Sequence, residues 1–197
     1  MAGAAATIVA AEGQPAPLCS SNVVADHIED LQYTLGEGPG IDAHEGGRPV
    51  AEPDLVSPRL VRWPALGPSA TAAGAGALFA FPLRLGGIRL GALTLYQPRA
   101  GRLSDAQHGD ALEMADIVLH VVLALQAEAP PGALAPELET LNGARAEVHQ
   151  AAGMVSVQLS VTVAEALVRL RARAWVDGRP LGALAADVVA RRVRFDA

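Results

Sequence analysis

The sequence predicts an α+β domain with an antiparallel sheet and flanking helices, followed by a small bundle of three helices. Three observations point to this class. Two apolar runs joined by a short glycine-containing link are typical of a β-hairpin, amphipathic helix patterns lie on both sides of them, and beyond residue 137 the pattern is purely helical. Strands mixed with terminal helices in a short chain indicate the α+β class.

Length and composition narrow the class of protein. With 197 residues, 51% of them apolar, the chain is long enough to bury a core as one large domain or two modest ones. No apolar run reaches the roughly 20 residues that span a bilayer. No basic residue precedes Arg48, which argues against a secretory signal, and the single Cys19 excludes an internal disulfide and a cysteine metal cluster. We therefore expect a cytoplasmic protein without a membrane partner.

Charge is distributed unevenly along the chain. All 15 basic residues are arginines, and the formal net charge is −6. Residues 1–142 hold seven arginines and 16 acidic residues, whereas residues 143–197 hold eight arginines and five acidic residues. Such an asymmetry indicates two units with different partners.

An amphipathic helix, a loop-rich segment and two strands are predicted within the first unit. NVVADHIEDLQYTL fits an amphipathic helix, and TLGEGPGIDAHEGGRPVAEPDL after it is loop-rich. ALFAFPL (77–83) and IRLGALTLY (88–96) form the predicted hairpin, with RLGG between them. Pro82 cannot donate a ladder hydrogen bond, so we expect it at a sheet edge or a strand end.

A long helix is predicted at the end of the first unit, in LSDAQHGDALEMADIVLHVVLALQ (103–126). Ser104 can cap this helix, and Gln107 three residues later completes a capping box. The helical period gives it one apolar face. That face consists of Ala111, Met114, Ala115, Val118, Val122 and Leu125.

Prolines and a glycine mark the boundary between the units. They lie in AEAPPGALAPE and interrupt any helix that arrives from the N-terminal side. The predicted organisation is therefore a first domain over residues 1–126, a Pro-rich linker over 127–137 and a second domain over 138–197.

Three helices are predicted in the second domain. The first carries apolar residues at alternating three- and four-residue steps, typical of a seam between helices or protomers. These residues are Leu138, Leu141, Val148, Ala152, Val155 and Leu159. A second helix covers about 161–176, with an apolar face of Val163, Ala166, Leu167, Leu170 and Ala174. A third buries Leu181, Leu184, Ala185 and Val188, which completes a small bundle.

The motifs of this domain resemble the ANTAR domain, an RNA-binding three-helix module of bacterial antitermination regulators. RAEVHQAAGM, AEALVRLRARAW and GRPLGALAADVVARR carry the resemblance, in this order. The matching positions are Arg145, Val148, Gln150, Ala151, Gly153, Ala166, Leu170, Arg171, Ala174, Leu181 and Ala185. Ala152 stands where the family often has lysine, so the resemblance implies one phosphate contact fewer if that lysine touches RNA in relatives.

Residues 20–126 resemble GAF domains of the kind fused to ANTAR domains in actinobacterial proteins. IEDLQYTLGEGPGIDA, GRPV, RWPAL, FAFPLRLGGIRLGALTLY and LSDAQ carry this resemblance. Relatives often have cysteine where Gly40 stands, and the N-terminal segment is short for the family. Together the two resemblances imply a GAF-like antiparallel sheet with flanking helices, followed by a three-helix ANTAR bundle.

The candidate RNA-binding residues lie in the second domain. They are Arg145, Arg169, Arg171, Arg173, Trp175, Arg179, Arg191 and Arg192. Phosphate contact competes with structural explanations for the arginines. Arg145 and Arg171 can equally act as salt-bridge partners, and Arg191 and Arg192 suit the C-terminus of a helix.

Two further alternatives concern the second predicted helix of this domain. Glu165 can pair with Arg169 one turn away, which leaves Arg173 freer. Trp175 can stack on an unpaired RNA loop base, although a core position that closes the bundle is the interpretation we prefer.

The first domain offers a pocket but no recognisable chemistry. GEGPG can present backbone N–H groups to an anion, but tight turns explain Gly36, Gly38 and Gly40 better. The five histidines lack metal-ligand spacing. The acidic residues of the loop are interpreted as solvated: Glu37, Asp42 and Glu45. We therefore predict a sensor or scaffold and not an enzyme, with no cofactor, no metal site and an unidentified small-molecule ligand of the GAF-like domain.

The resemblance implies a regulator of transcription. Two ANTAR units of a homodimer would hold tandem RNA stem-loops in nascent transcripts, which prevents an overlapping terminator hairpin from forming. The alternative is a protein-interaction or small-molecule-sensing module whose ANTAR-like part does not bind RNA. Ala152 and the modest positive charge of the second domain favour that alternative.

Overall fold

The computed structural model describes residues 1–9, 15–57, 62–130 and 135–196, and the side chains of all of these except 137 and 139–145. The chain divides into two compact units, Met1–Leu138 and Glu139–Ala197.

A five-stranded antiparallel sheet forms the centre of the first unit. Its strands are β1 (Gly3–Val9), β2 (Pro15–Ser20), β3 (Val50–Glu52), β4 (Ala77–Leu85) and β5 (Ile88–Gln97). They lie in the order β2-β1-β5-β4-β3, and each neighbouring pair is antiparallel. The predicted hairpin is confirmed, because β4 and β5 pair along their whole length.

Pro82 lies within an interior strand and not in an edge strand. β4 is flanked by β5 on one side and β3 on the other. The short β3 begins at Val50, which lies opposite Ala80, so the part of β4 that contains Pro82 pairs with β5 alone. The missing N–H of proline is compatible with this position because one side of the strand has no ladder there.

The sequence does not reveal the two N-terminal strands. The segment of β1 is rich in alanine and lacks aromatic residues, yet β1 lies between β2 and β5 in the sheet. Its pairing with β5 needs a bare backbone at Gly91, where an added Cβ would lie 1.9 Å from the Thr7 carbonyl oxygen. Long-range pairing therefore decides the conformation of this segment over its weak local preference.

Four helices pack on the sheet. They are α1 (Val23–Leu35), α2 (Pro39–Gly46), α3 (Leu66–Ala72) and α4 (Asp105–Ala127). The two predicted helices are confirmed as α1 and α4, and Ser104 and Gln107 form the predicted capping box. The prediction that residues 34–55 are loop-rich is wrong in part, because α2 and β3 lie in that segment. Pro39 stands in the first turn of α2, where its missing N–H costs nothing.

Each face of the sheet buries its own apolar core. One core joins the sheet to α1 and α3 through residues such as Ile28 and Leu66, and the other joins it to α4 through Leu119. Leu78 and Phe79 of β4 belong to different cores because successive side chains of a strand point to opposite faces. The buried face of α4 differs slightly from the predicted one, since Leu119 is buried and Met114 is 49% exposed.

Three helices make up the rest of the chain. They are α5 (Pro136–Leu159), α6 (Val163–Val176) and α7 (Leu181–Val189). The four residues predicted to be buried in α7 are all buried, and α6 buries Ala166, Leu170 and Ala174 of its predicted face. α5 begins at Pro136, inside the predicted linker, while residues 131–134 of that linker lie outside the described residues.

Within the described residues, no helix alone has the length and apolar composition to cross a membrane. The required length and apolar composition are reached only by two helical segments taken together, Ala146–Leu159 and Val163–Val176. These segments meet at a bend of 104°.

Candidate functional site

α6 carries Trp175 on its exposed side. Thr162 caps the helix by accepting the Glu165 N–H, and the small residues Ala166 and Ala174 occupy the buried face. Trp175 is 50% exposed, so the preferred prediction of a core position is wrong. A half-exposed indole offers an aromatic ring on which the base or side chain of a partner can stack.

Two of the candidate arginines on α6 are paired with carboxylates one turn away. Arg169 lies 2.9 Å from Glu165, as the sequence predicted. Arg173 lies 2.7 Å from Asp177, so the expectation that Arg173 is freer is wrong. All four side chains remain partly exposed, and such pairs contribute little to stability because water competes for them.

Asp187 of α7 brings two other candidate arginines together. Its carboxylate accepts hydrogen bonds from Arg179, which precedes α7, and from Arg192, which follows it, the latter at 2.7 Å. The hydrogen bond from Arg179, and then that from Arg192, hold the pKa of Asp187 below its usual range. A single carboxylate thus ties both ends of α7 and neutralises one of two guanidinium groups.

The segment after α7 carries two arginines that have no carboxylate partner among the described residues. Arg191 and Arg194 are exposed, and neither makes an ion pair within the described part of the chain. Arg191 adopts a left-handed backbone with φ of 60°. Arg171 is half-buried on α6, and the side chain of Arg145 lies outside the described residues.

The first unit contains a buried polar cluster that the sequence did not reveal. It consists of Thr7, Glu29, Gln32, Thr94 and the backbone of Gly40, hereafter the polar cluster. Thr7 donates to one oxygen of Glu29 at 2.5 Å, and Gln32 donates to the other at 2.6 Å. Gln32 also contacts Thr94 at 3.3 Å and accepts the Gly40 N–H at 2.7 Å. The amide of Gln32 therefore joins α1 to α2 and to the sheet.

The glycines of GEGPG serve this packing. Gly36 ends α1 in the left-handed region, with φ of 69°, as expected for a tight turn. A Cβ on Gly38 would lie 2.4 Å from Gln32 Oε1, and one on Gly40 would lie 3.0 Å from the same atom. Because the Gly40 N–H is used by Gln32, it is not open to an anion. The sequence signal for this cluster was a glutamate and a glutamine three residues apart in an amphipathic helix.

Two loop carboxylates that were interpreted as solvated hold neighbouring elements instead. Glu37 accepts the backbone N–H groups of Ala65 and Leu66, each at 2.8 Å, at the start of α3. Asp42 accepts the Trp63 indole N–H at 3.1 Å and pairs with Arg62 at 2.8 Å. The segment around GEGPG is therefore bound to α3 on one side and to the polar cluster on the other.

An open apolar groove of about 580 Å³ lies between β1 and α4. Met1, Met114, Val118 and the exposed Cys19 are among its lining residues. Ile117 and Val121 extend the apolar surface along the outer side of α4. Among the described residues, no three His, Cys, Asp or Glu side chains are positioned to hold a metal ion.

Comparison with known proteins identifies a fold and no family. No protein-family model and no curated protein sequence matches the chain. A domain of a Sinorhizobium meliloti 1021 protein, assigned as a two-component sensor histidine kinase, is 20% identical with a TM-score of 0.51. The match covers 64% of this chain and 81% of that domain. At this identity the likeness shows a shared fold.

Two GAF domains of known structure match less closely. The one from a Coxiella burnetii phosphoenolpyruvate-protein phosphotransferase is 16% identical over 64% of this chain and 74% of its own, with a TM-score of 0.48. The second GAF domain of Mycobacterium smegmatis DevS is 14% identical over 64% of this chain and 86% of its own, with a TM-score of 0.42. The α+β architecture with a five-stranded antiparallel sheet is consistent with a GAF-like domain.

Proposed function

We propose that the chain is an RNA-binding regulator of transcription termination. Its GAF-like first unit receives a signal or joins two copies, and its helical second unit binds tandem stem-loops in nascent RNA. The ANTAR-like motifs of residues 143–197 and the arginines among them support this function. The proposal gives the chain a binding role, in the cytoplasm, without a catalytic step.

The half-exposed Trp175 carries the proposal. RNA loops present unpaired bases that stack on aromatic and guanidinium planes. Arg171 precedes Trp175 by one helical turn, so a planar cation and an indole stand on adjacent positions of the same helix side. Arginines around a stacking residue are the arrangement by which proteins combine phosphate affinity with base recognition.

Intrinsic fluorescence provides a direct test of stacking. The chain has two tryptophans, and Trp63 is only 2% exposed, so a ligand in solution reaches Trp175. We expect a tandem stem-loop RNA to quench the fluorescence of the full-length protein. A Trp175→Ala variant should lose the quenching and bind RNA more weakly, by about 1–3 kcal/mol, because it removes the stacking ring. Unchanged mobility and fluorescence with such RNAs at low salt would contradict the proposal.

Transcription of a terminator template tests the regulatory consequence. When tandem stem-loops overlap the terminator hairpin, protein that holds them should increase the full-length transcript. A template whose loop bases are replaced, with the stems retained, is the matched control because stacking needs those bases. Equal read-through on both templates would contradict recognition of the loops.

A second candidate function, self-association through the first unit, rests on the outer side of α4. Ile117 and Val121 are half exposed there, one turn apart and beside the open groove. Such a stripe suits a helix of a second copy. We expect Val121→Glu to shift the mass in light scattering from dimer to monomer, whereas Val23→Glu, at an exposed valine on α1, should leave it unchanged. A monomeric wild-type protein would contradict this function.

A further inference from the structure

The turn that follows α7 has a backbone shape that usually belongs to glycine. Arg191 has φ of 60°, and its N–H donates to the Val188 carbonyl at 2.9 Å. The N–H of Arg192 then reaches the Asp187 carbonyl at 2.7 Å, which closes the end of the helix. Glycine enters this conformation without strain, while a side chain there meets its own backbone. An arginine in such a position presents its guanidinium at a strained corner of the surface.

The charges around this corner do not cancel. Four arginines and two aspartates lie between residues 179 and 196. Asp187 is shared by Arg179 and Arg192, while Arg191 and Arg194 are exposed without an ion pair in the described part of the chain. These four arginines together with Asp187 are named the arginine corner.

The arginines of α6 are in a different position. Arg169 and Arg173 each have their own carboxylate one turn away, at 2.9 and 2.7 Å. A phosphate can engage them only by displacing Glu165 or Asp177, so the net gain in Coulomb energy is small. A phosphate at Arg191 or Arg194 displaces only water and counterions.

We propose that the arginine corner is the phosphate-binding part of the RNA interface and that Arg169 and Arg173 are not. The inference rests on the proposed function, and it assigns the salt-dependent affinity to the turn after α7 and the base stacking to α6. The rest of the chain is acidic, with a formal net charge of −6 overall, so a polyanion has to bind at a local excess of arginine.

Salt titration of RNA binding by matched double variants tests this division. Arg191→Gly with Arg194→Ser removes two cations that make no ion pair in the described part of the chain, and glycine retains the shape of the turn. The control, Arg169→Gln with Arg173→Gln, removes two paired cations from α6. Each lost phosphate contact lowers the slope of log Kd against log salt by about 0.7–0.9. We therefore expect the corner variant to lose about 1.4–1.8 of slope and the control to keep the wild-type slope.

The outcomes separate this inference from the proposed function. If the control loses as much slope as the corner variant, the division is wrong. If wild-type protein binds no RNA, the proposed function fails, and inorganic polyphosphate then serves as the probe with the same variants. Polyphosphate binding that disappears only in the corner variant supports a polyanion site at the corner, while binding that persists there overturns it. Circular dichroism of each variant checks that the helices are retained.

Discussion

Carboxylates of similar chemistry lie in opposite surroundings in the two units. Glu29 is 6% exposed and accepts hydrogen bonds at 2.5 and 2.6 Å inside the polar cluster. Glu165 is about half exposed and pairs with Arg169 at 2.9 Å. Water is excluded from the first contact and competes for the second, so loss of a partner costs much more in the first. The buried carboxylate holds the fold together, whereas the exposed pairs contribute little to the stability of the fold.

The largest effect is expected from Gln32→Leu, which keeps the size of the side chain. It removes a donor to Glu29 and the acceptor of the Gly40 N–H, both of which are buried. We expect the free energy of unfolding of the first unit to fall by about 3 kcal/mol. Urea unfolding followed by Trp63 fluorescence, in a Trp175→Phe background, measures it.

Glu165→Gln is the matched control for this substitution, since it also exchanges one hydrogen-bonding side chain. Its pair with Arg169 is exposed, so the free energy of unfolding should change by less than about 0.5 kcal/mol. Similar losses in the two variants would contradict the distinction between the buried and the exposed carboxylate.

Gly38→Ala tests how closely α2 fits the polar cluster. The added Cβ would lie 2.4 Å from Gln32 Oε1, at a backbone φ of 144° that side chains rarely adopt. We expect a loss of about 2 kcal/mol in the free energy of unfolding, measured in the same urea experiment. Gly109→Ala in α4 has open space around its Cβ and should stabilise the chain by about 0.5–1 kcal/mol. A neutral Gly38→Ala would mean that α2 can move away from Gln32.

Elements with local signals could be predicted from the sequence. Ser104 and Gln107 lie within one helical turn, and their capping box is present as expected. The hairpin of β4 and β5 and the buried face of α7 follow from patterns of a few residues. The pair between Arg173 and Asp177 has the same i,i+4 spacing as Glu165 and Arg169 and was overlooked.

The polar cluster could not be predicted because its partners are far apart in the chain. Thr7 and Glu29 are 22 residues apart, and Gln32 and Thr94 are 62 apart. Sheet topology brings them together, and β1 has no strong strand signal of its own. The exposure of Trp175 was likewise beyond the sequence, because an aromatic residue beside an apolar face fits a core equally well.

Arg191→Gly tests whether the left-handed backbone at Arg191 is strained. Replacing a strained left-handed residue by glycine should raise the free energy of unfolding by about 0.5–1 kcal/mol. Ser160→Gly, at the other non-glycine residue with positive φ in the described chain, should give a similar gain. Thermal unfolding of the full-length protein measures both. The two variants should differ in RNA binding, which only Arg191→Gly should weaken. A lower stability of the Arg191→Gly variant would contradict the backbone strain inferred at Arg191.

The smallest effect on stability is expected from titration of Asp187. Its folded-state pKa is lowered, so the ionised carboxylate stabilises the folded state. This contribution is fully present above the unfolded-state pKa, about 3.9, and is lost as the pH falls through the lower folded-state value. Asp187→Asn should therefore remove this small contribution at neutral pH and flatten the acid limb of the stability curve.

Nitrogen-15 NMR of the arginine Nε–H groups follows this titration directly. The Arg192 signal should move as Asp187 takes up its proton, because its Nε–H donates to that carboxylate at 2.7 Å. The Arg194 signal should remain nearly constant over the same range, since Arg194 has no ion pair in the described part of the chain. If the Arg192 signal instead stays constant over this range, Asp187 does not bind it in solution. The C-terminal end of α7 would then lack this contact, and the arginine corner would carry one more unpaired cation than its contacts indicate.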